Sequence, residues 1–355
     1  MRAGPGAVGS ANWLTSINGV LYFSGFDDES HRQLYRAKSS FGSEVLVEKL
    51  EAATEIVTPA LFTQVGERVV FNSLGPNGRE LHVIEGLTAR ELADIAPGAP
   101  SSNPFELTSF EDSIFFSAHG PQGREPYKTD GESVRLLSDI LPDGGSSDPR
   151  DFKVIGDKLF FVATGSHGRE LYVSDGNSVS RVTDLNPGPL PSFDPGLNFF
   201  SEVEDRLLFQ FSDEGGLRWY TTDGELVAPL IGQDSGATWS SRSFVAFGDW
   251  NYFVADYGSG NLLYRTDGIL MEQVANLPPS LQALGAPLLV LNGALVFPGG
   301  NDQDWALYRA KVIPEPSVAE CVLSVAIVFL MFARRRTVNV NSLQRSMHRP
   351  TLCIF

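Results

Sequence analysis

The chain has 355 residues, 42% of them hydrophobic and 11% aromatic, which provides for a large core and excludes global disorder. Its formal net charge is −16, and because the residues after 313 hold five Arg and two acids, the first 313 carry 22 basic and 41 acidic groups, or −19. Such a surface excludes nucleic acid and anionic lipid headgroups as general partners, and fits a soluble exterior, a cation-rich setting or a basic partner.

The start of the chain lacks a charged segment followed by an apolar run, so no signal peptide is read in residues 1–20. Gly4-Pro5-Gly6-Ala7 instead matches a connector found later at Ala96-Pro97-Gly98-Ala99. The chain thus begins inside a repeat. The expectation is that the true N-terminus lies upstream, carrying a signal peptide and a strand that completes the last unit.

From there one Phe recurs in a fixed frame, at Phe23, Phe71, Phe116, Phe161, Phe209, Phe253 and Phe297, spaced 44 to 48 residues apart. Five residues before each begins a two-residue turn: Asn18-Gly19, Gly66-Glu67, Glu111-Asp112, Gly156-Asp157, Glu204-Asp205, Gly248-Asp249 and Asn292-Gly293. Asn-Gly and its relatives favour the left-handed backbone of tight hairpins. An alternating apolar run such as Asp151-Phe152-Lys153-Val154-Ile155 precedes each turn, as in a half-buried strand. Downstream stands a second aromatic position, filled by Tyr35, His82, Tyr127, Tyr172, Tyr220, Tyr264 and Tyr308. His82 reads as a substituted Tyr on a strand rather than a ligand. Asp130, Asp175, Asp223 and Asp267 are each followed by Gly, which marks a further hairpin turn. A fourth apolar stretch and a Pro/Gly/Ser connector close the unit, as at 134–140 and 142–147.

Each unit therefore predicts four short antiparallel strands, with no helical periodicity in the body. A sheet of that size cannot cover both faces alone, and stacking sheets face to face around an axis does so. Units of this length and strand number predict an all-β fold, a β-propeller of seven four-stranded blades over residues 1–313. A linear stack or a two-sheet sandwich is the alternative. The recurring Phe, Tyr and Leu read as packing between blades.

The clearest copy, Gly168-Arg169-Glu170-Leu171-Tyr172-Val173-Ser174-Asp175-Gly176, resembles the bacterial ELWxxDGT repeat family. Glu170, Leu171, Asp175 and Gly176 match its core, Tyr172 stands where the family has Trp, and Asn177 where it has Thr. Residues 78–86 and 123–131 are weaker copies, with Pro126 in place of the Leu. The resemblance covers about residues 10–311. It implies a secreted or surface propeller and no defined chemistry.

Past the repeats, 317–333 is an almost unbroken apolar run, with Glu320 its single charge, followed by Arg334, Arg335 and Arg336. This predicts a short transmembrane helix with a cytoplasmic C-terminal side and the body outside. Pro314, Glu315 and Pro316 stand immediately before it. Tripeptide, span and basic cluster together resemble the PEP-CTERM sorting signal over 314–336. That resemblance implies export, recognition by an exosortase, cleavage near the tripeptide, and the company of exopolysaccharide. Such signals end soon after the basic cluster, whereas here 337–355 continue as a short, disordered tail. Both cysteines, Cys321 and Cys353, fall in this region, so the body has neither a disulfide nor a Cys metal site.

Little in the body points to catalysis. His31, His82, His119, His167 and His348 have no metal-ligand spacing with one another, and neither a Gly-x-Ser-x-Gly element nor a phosphate loop occurs. The Gly-Arg-Glu triplets at 78–80, 123–125 and 168–170 read as repeat descent, with Arg and Glu paired weakly on the surface. No cofactor is expected. Ca²⁺ is the one ion the repeated Asp residues could hold, but turn geometry explains them more simply. The expectation is an exported interaction or adhesion module, binding polysaccharide or another surface protein, rather than an enzyme. The alternatives are a structural envelope or matrix protein, and a propeller glycosidase or lyase with carboxylates converging at one end of the channel. Exposed aromatics there would mark a carbohydrate binder, with Trp239, Trp250 and Trp305 the candidates.

Overall fold

The computed structural model describes residues 9–27, 31–39, 45–52, 56–98, 101–186, 188, 191–193, 200–213, 216–232, 239–240, 244–256, 261–274, 283–284, 288–300, 305–312 and 352–354. The fold is all-β: every named element in them is a strand. They form seven small sheets in chain order. Sheet one is β1 (Gly9–Ile17), β2 (Val20–Phe26), β3 (Arg32–Ser39) and β4 (Val45–Lys49). Sheet two runs from β5 (Glu51–Ala52) through β6 (Val57–Val65), β7 (Arg68–Gly75) and β8 (Gly78–Glu85) to β9 (Thr88–Ala93), with β5 lying parallel to β9. Sheet three is β10 (Phe105–Phe110), β11 (Ser113–Gly120), β12 (Gly123–Thr129) and β13 (Val134–Leu136). Sheet four is β14 (Arg150–Ile155), β15 (Lys158–Gly165), β16 (Gly168–Ser174) and β17 (Val179–Arg181).

Sheet five follows as β18 (Phe200–Val203), β19 (Arg206–Asp213), β20 (Gly216–Thr222) and β21 (Val227–Pro229). Sheet six holds β22 (Trp239–Ser240), β23 (Val245–Phe247), β24 (Trp250–Asp256), β25 (Asn261–Thr266) and β26 (Met271–Gln273). Sheet seven holds β27 (Ala283–Leu284), β28 (Leu289–Val290), β29 (Leu295–Gly300), β30 (Trp305–Val312) and β31 (Leu352–Ile354). In sheet seven β31 pairs antiparallel with β30, with Lys311 opposite Cys353. Two compact units divide the chain, Met1–Asp213 with Tyr220–Ala228, and Glu214–Trp219 with Pro229–Phe355.

The first turn of every sheet follows from its dipeptide. Its leading residue is left-handed in all seven, from Asn18 at φ 50° to Gly248 at φ 63°. Each Phe of the recurring frame then lies beside the recurring aromatic of the next strand. In sheets one, three, four, five, six and seven these pairs stack, with centroids 5.6–6.0 Å apart, and Phe71 meets His82 at 5.5 Å. The stack fits closely: a Cβ on Gly120 would run into the Tyr127 hydroxyl.

Within each unit, cores lie between successive sheets. In the first unit, Ile17, Tyr22 and Leu34 of sheet one pack on Phe62, Phe71 and Ile84 of sheet two. Phe160, Val162 and Leu171 of sheet four pack on Leu207 and Phe209 of sheet five. In the second unit, Tyr252, Val254 and Leu263 meet Leu295 and Phe297. Within each unit these sheets thus gain from a neighbour the cover they cannot make themselves.

The Asp-Gly turns repeat atom for atom. Asp175 Oδ1 accepts the N–H groups of Asn177 at 2.8 Å and Ser178 at 2.7 Å, while Ser174 Oγ accepts that of Gly176 at 3.0 Å. Asp130, Asp223 and Asp267 do the same, each with a preceding Thr in the serine's place. Among the described residues no three His, Cys, Asp or Glu side chains gather as a metal site.

Phe161 is fully buried and stacked on both Phe152 and Tyr172. Phe161→Ala is expected to cost roughly 3–5 kcal/mol in urea unfolding. A loss below about 1 kcal/mol would remove the stacked pair from the basis of the fold.

Candidate functional site

The Gly-Arg-Glu triplets are not surface ion pairs, as the sequence suggested. Glu80, Glu125 and Glu170 are fully buried. Each sits on the third strand of its sheet and reaches a serine 22 residues on, in the connector to the next sheet. Ser147 donates to Glu125 from its hydroxyl at 2.6 Å and its N–H at 3.0 Å, and Ile140 N–H adds a third bond at 3.0 Å. Ser102 donates to Glu80 from both groups, with Ile95 N–H at 3.2 Å. Glu170 takes hydroxyls from Ser192 and Thr183, both at 2.6 Å. The serine carbonyl then accepts from the second strand of the following sheet, Ser102 from His119 N–H and Ser147 from Thr164 N–H, both at 2.7 Å. Burial pushes all three carboxyls above the usual range, against the pull of these donors.

Next to each clamp stands an arginine: Arg79, Arg124 and Arg169, with Arg32 in the same frame of sheet one. Their hydrogen bonds go to neutral acceptors. Arg79 bonds Thr58 Oγ1 at 2.6 Å, the Thr58 carbonyl and Asn72 Oδ1. Arg124 bonds the carbonyls of Asn103 and Ser102, Arg169 that of Asp148, and Arg32 the Ser24 hydroxyl. Arg169 is 7% exposed and its Nε has no partner among the described residues. Burial lowers the pKa of Arg79, Arg124 and Arg169, yet a guanidinium keeps its charge.

These arginines face the start of the leading strands β1, β6, β10 and β14, which neighbour one another in turn. All four strands bulge at the same position, just after Asn12, Ala60, Phe105 and Arg150. The bulged residues are Trp13, Leu61, Glu106 and Asp151, all left-handed, at φ 54–59°. Strained backbone of this kind re-aims a side chain. Trp13 is 55% exposed. Glu106 accepts the Phe152 N–H at 3.4 Å, tying β10 to β14, and burial with the neighbouring Asp151 charge raises its pKa. Arg124 and Arg150 flank the Phe105 ring at 5.1 and 5.4 Å, and Arg124 lies 3.9 Å from the Asp148 carboxylate.

The residues named from sequence fall elsewhere. Pro314, Glu315, Pro316, Arg334, Arg335, Arg336 and the span 317–333 lie outside the described residues. No helix among the described residues is long and apolar enough to cross a membrane. Trp250 is half-buried under Arg265 at 4.2 Å, so its face is taken. The side chains of Trp239 and Trp305 are outside the description. His82 is fully buried, with burial lowering its pKa, and His167 contacts Asp184 at 3.2 Å. Trp13, the clamp serines and the leading-strand charges were missed. Ser102, Ser147 and Ser192 share the 45-residue spacing of the three Glu, a signal that could have found the clamp.

No protein-family model matches the sequence, and no curated protein matches it. Among solved structures, the chain is similar to a prolyl endopeptidase at 14% identity and TM-score 0.42, over 85% of this chain and 48% of that one. It is similar to the β-propeller domain of the trilobed protease from Pyrococcus furiosus at 12% identity and TM-score 0.38, over 85% and 95%. A polysaccharide lyase, an ulvan lyase, is similar at 10% identity and TM-score 0.34, over 86% and 93%. The chain thus spans about half the prolyl endopeptidase.

Removing the Glu125 carboxylate leaves the buried Ile140 and Ser147 donors without it, and Glu125→Ala is expected to cost about 1–3 kcal/mol. The pH dependence has a definite sign. A carboxyl whose folded pKa is raised stabilises fully below its unfolded pKa, and loses that contribution as pH rises through the folded value. Wild type is therefore expected to gain most over Glu125→Gln below about pH 4, and progressively less toward pH 7. Urea titrations of both proteins at several pH values check this, and a gap that widens with pH would contradict it.

Proposed function

We propose that the chain is a seven-bladed β-propeller acting outside the cell as an interaction or adhesion module, sorted there through residues 314–336. One observation carries the reading. A framework of stacked aromatic pairs and tight turns repeats from sheet to sheet, while one bulged position changes from Trp13 to Leu61, Glu106 and Asp151. A rigid repeated frame with a varied row of side chains suits binding better than a single reaction. The strongly acidic body fits a soluble exterior.

In this reading Pro314, Glu315 and Pro316 form the processing site, 317–333 the span, and Arg334, Arg335 and Arg336 hold the far side, with an exosortase-type enzyme as partner. Insertion of 317–333 carries residues 352–354 across the bilayer from β30. It is therefore exclusive with the β30–β31 pairing. The inserted form has β30 as an open edge, and the paired form precedes insertion.

A glycosidase or lyase is the second reading. Its support is Glu106 beside Asp151, a half-buried carboxyl of raised pKa near a like charge. Loss of sugar-chain cleavage in Glu106→Gln, with the fold retained, would favour it over the binding module.

Sorting is tested by fractionating cells that express the full chain or a variant with Arg334, Arg335 and Arg336 all changed to Glu. The wild type is expected at the surface, and the variant is expected to lose most of that population. Equal surface amounts would overturn the sorting role.

A further inference from the structure

A chain of net charge −16 concentrates cations at one place. At the leading ends of sheets three and four Arg124 and Arg150 flank one Phe105 ring, and Arg124 and Arg169 both reach Asp148, at its carboxylate and its carbonyl. Like charges gathered in half-buried surroundings cost free energy unless something offsets them. Glu106, Asp148 and Asp151 offset part of this. The hydrogen bonds of Arg124 and Arg169, however, go to carbonyls, and one buried guanidinium N–H of Arg169 has no acceptor among the described residues. Arg150 is exposed.

The mixture of groups is informative. A phosphate or a densely charged polyanion would meet Glu106 and Asp151 as well as the arginines, and would be repelled by the body of the chain. A sugar hydroxyl both donates and accepts, so neighbouring carboxylate and guanidinium groups suit it. An occasional carboxylate or sulfate on the sugar would then pair with the arginines. On the same bulged row, in sheet one, Trp13 offers an open indole, the kind of amphipathic face on which a sugar ring packs.

We propose that this row, with Trp13 at one end and Glu106, Asp151, Arg124, Arg150 and Arg169 at the other, binds an oligosaccharide carrying sparse acidic groups. The proposal rests on the binding-module reading above and names its ligand class. Arg150 pairs with the acidic group, the carboxylates take neighbouring hydroxyls, and Trp13 packs against a ring further along the chain.

Calorimetric titration of the purified full chain tests this with four probes: oligogalacturonate with most of its carboxyls methyl-esterified and a few free, a xylo-oligosaccharide bearing occasional glucuronic acid, fully methyl-esterified oligogalacturonate and sodium sulfate. At least one acidic chain is expected to bind, and the fully esterified form about tenfold or more weaker than its partly free counterpart if that chain is the one bound. Arg150→Ala is expected to weaken the acidic chain by about tenfold, and Trp13→Ala to weaken it without changing its salt dependence. Melting temperatures of both variants, expected near wild type, separate lost binding from lost folding. Binding of sulfate alone, equal binding of the partly and the fully esterified chain, an acidic chain indifferent to Arg150→Ala, or no binding of either acidic chain would each overturn the proposal. Surface fractionation of the same protein is independent of these titrations, so failure of the ligand assignment is distinguishable from failure of the exported-module reading.

Discussion

The bond between a buried glutamate and a serine 22 residues downstream fixes more of the first unit than any other contact. Glu125 lies on β12, and its oxygens hold both the hydroxyl and the N–H of Ser147. Ser147 in turn gives its carbonyl to Thr164 on β15. One carboxylate thereby sets where the chain leaves sheet three and how sheet four is positioned. Glu80 with Ser102 does the same between sheets two and three. A buried carboxylate is costly without donors, so the interaction is specific as well as strong. A side chain that can only accept requires a connector with donors at the right places.

The same clamp delivers the arginines. Arg79, Arg124 and Arg169 immediately precede the three glutamates, and neighbouring residues of a strand point to opposite faces. With the glutamate fixed inward against the connector, the arginine is committed to the other side. There it reaches the beginning of the leading strand or the residues just before it. The cations of the candidate site are thus placed by the packing of the frame. Their hydrogen-bond partners, carbonyls, hydroxyls and one amide, orient them, and neighbouring carboxylates such as Asp148 offset part of their charge.

Much of this frame was legible in the sequence, because its signals are local and repeated. The left-handed turn residues, the Phe series and the Tyr/His series predicted strands and hairpins that the structure contains. Their direct stacking follows from register, with Phe116 opposite Tyr127 and Phe161 opposite Tyr172. Less legible were features that depend on contacts between distant residues. Arg-Glu beside a Gly reads as a solvated pair until Ser147 is seen to fold over the glutamate. A bulge adds one residue to a strand and leaves no compositional mark, so nothing in the sequence sets Trp13 apart. Trp250 shows the converse: a Trp in a strand reads as a binding candidate until Arg265 covers it.

In a chain built from copies, sameness and difference carry separate information. Positions filled alike in successive sheets, such as the stacked aromatics, the Asp-Gly turns and the glutamate clamps, are accounted for by packing and hydrogen bonding within the frame. They need no ligand to explain them. The bulged position of the leading strands is different. Its backbone is nearly constant, at φ 54–59°, a left-handed region that disfavours most residues other than Gly, Asn and Asp. None of the four is Gly. The four are an indole, an alkyl chain and two carboxylates of different length, Trp13, Leu61, Glu106 and Asp151. Packing alone would call for one well-fitted side chain at equivalent places. An indole, an alkyl chain and two carboxylates on equivalent backbone indicate that this geometry belongs to the fold and is not imposed by any one side chain.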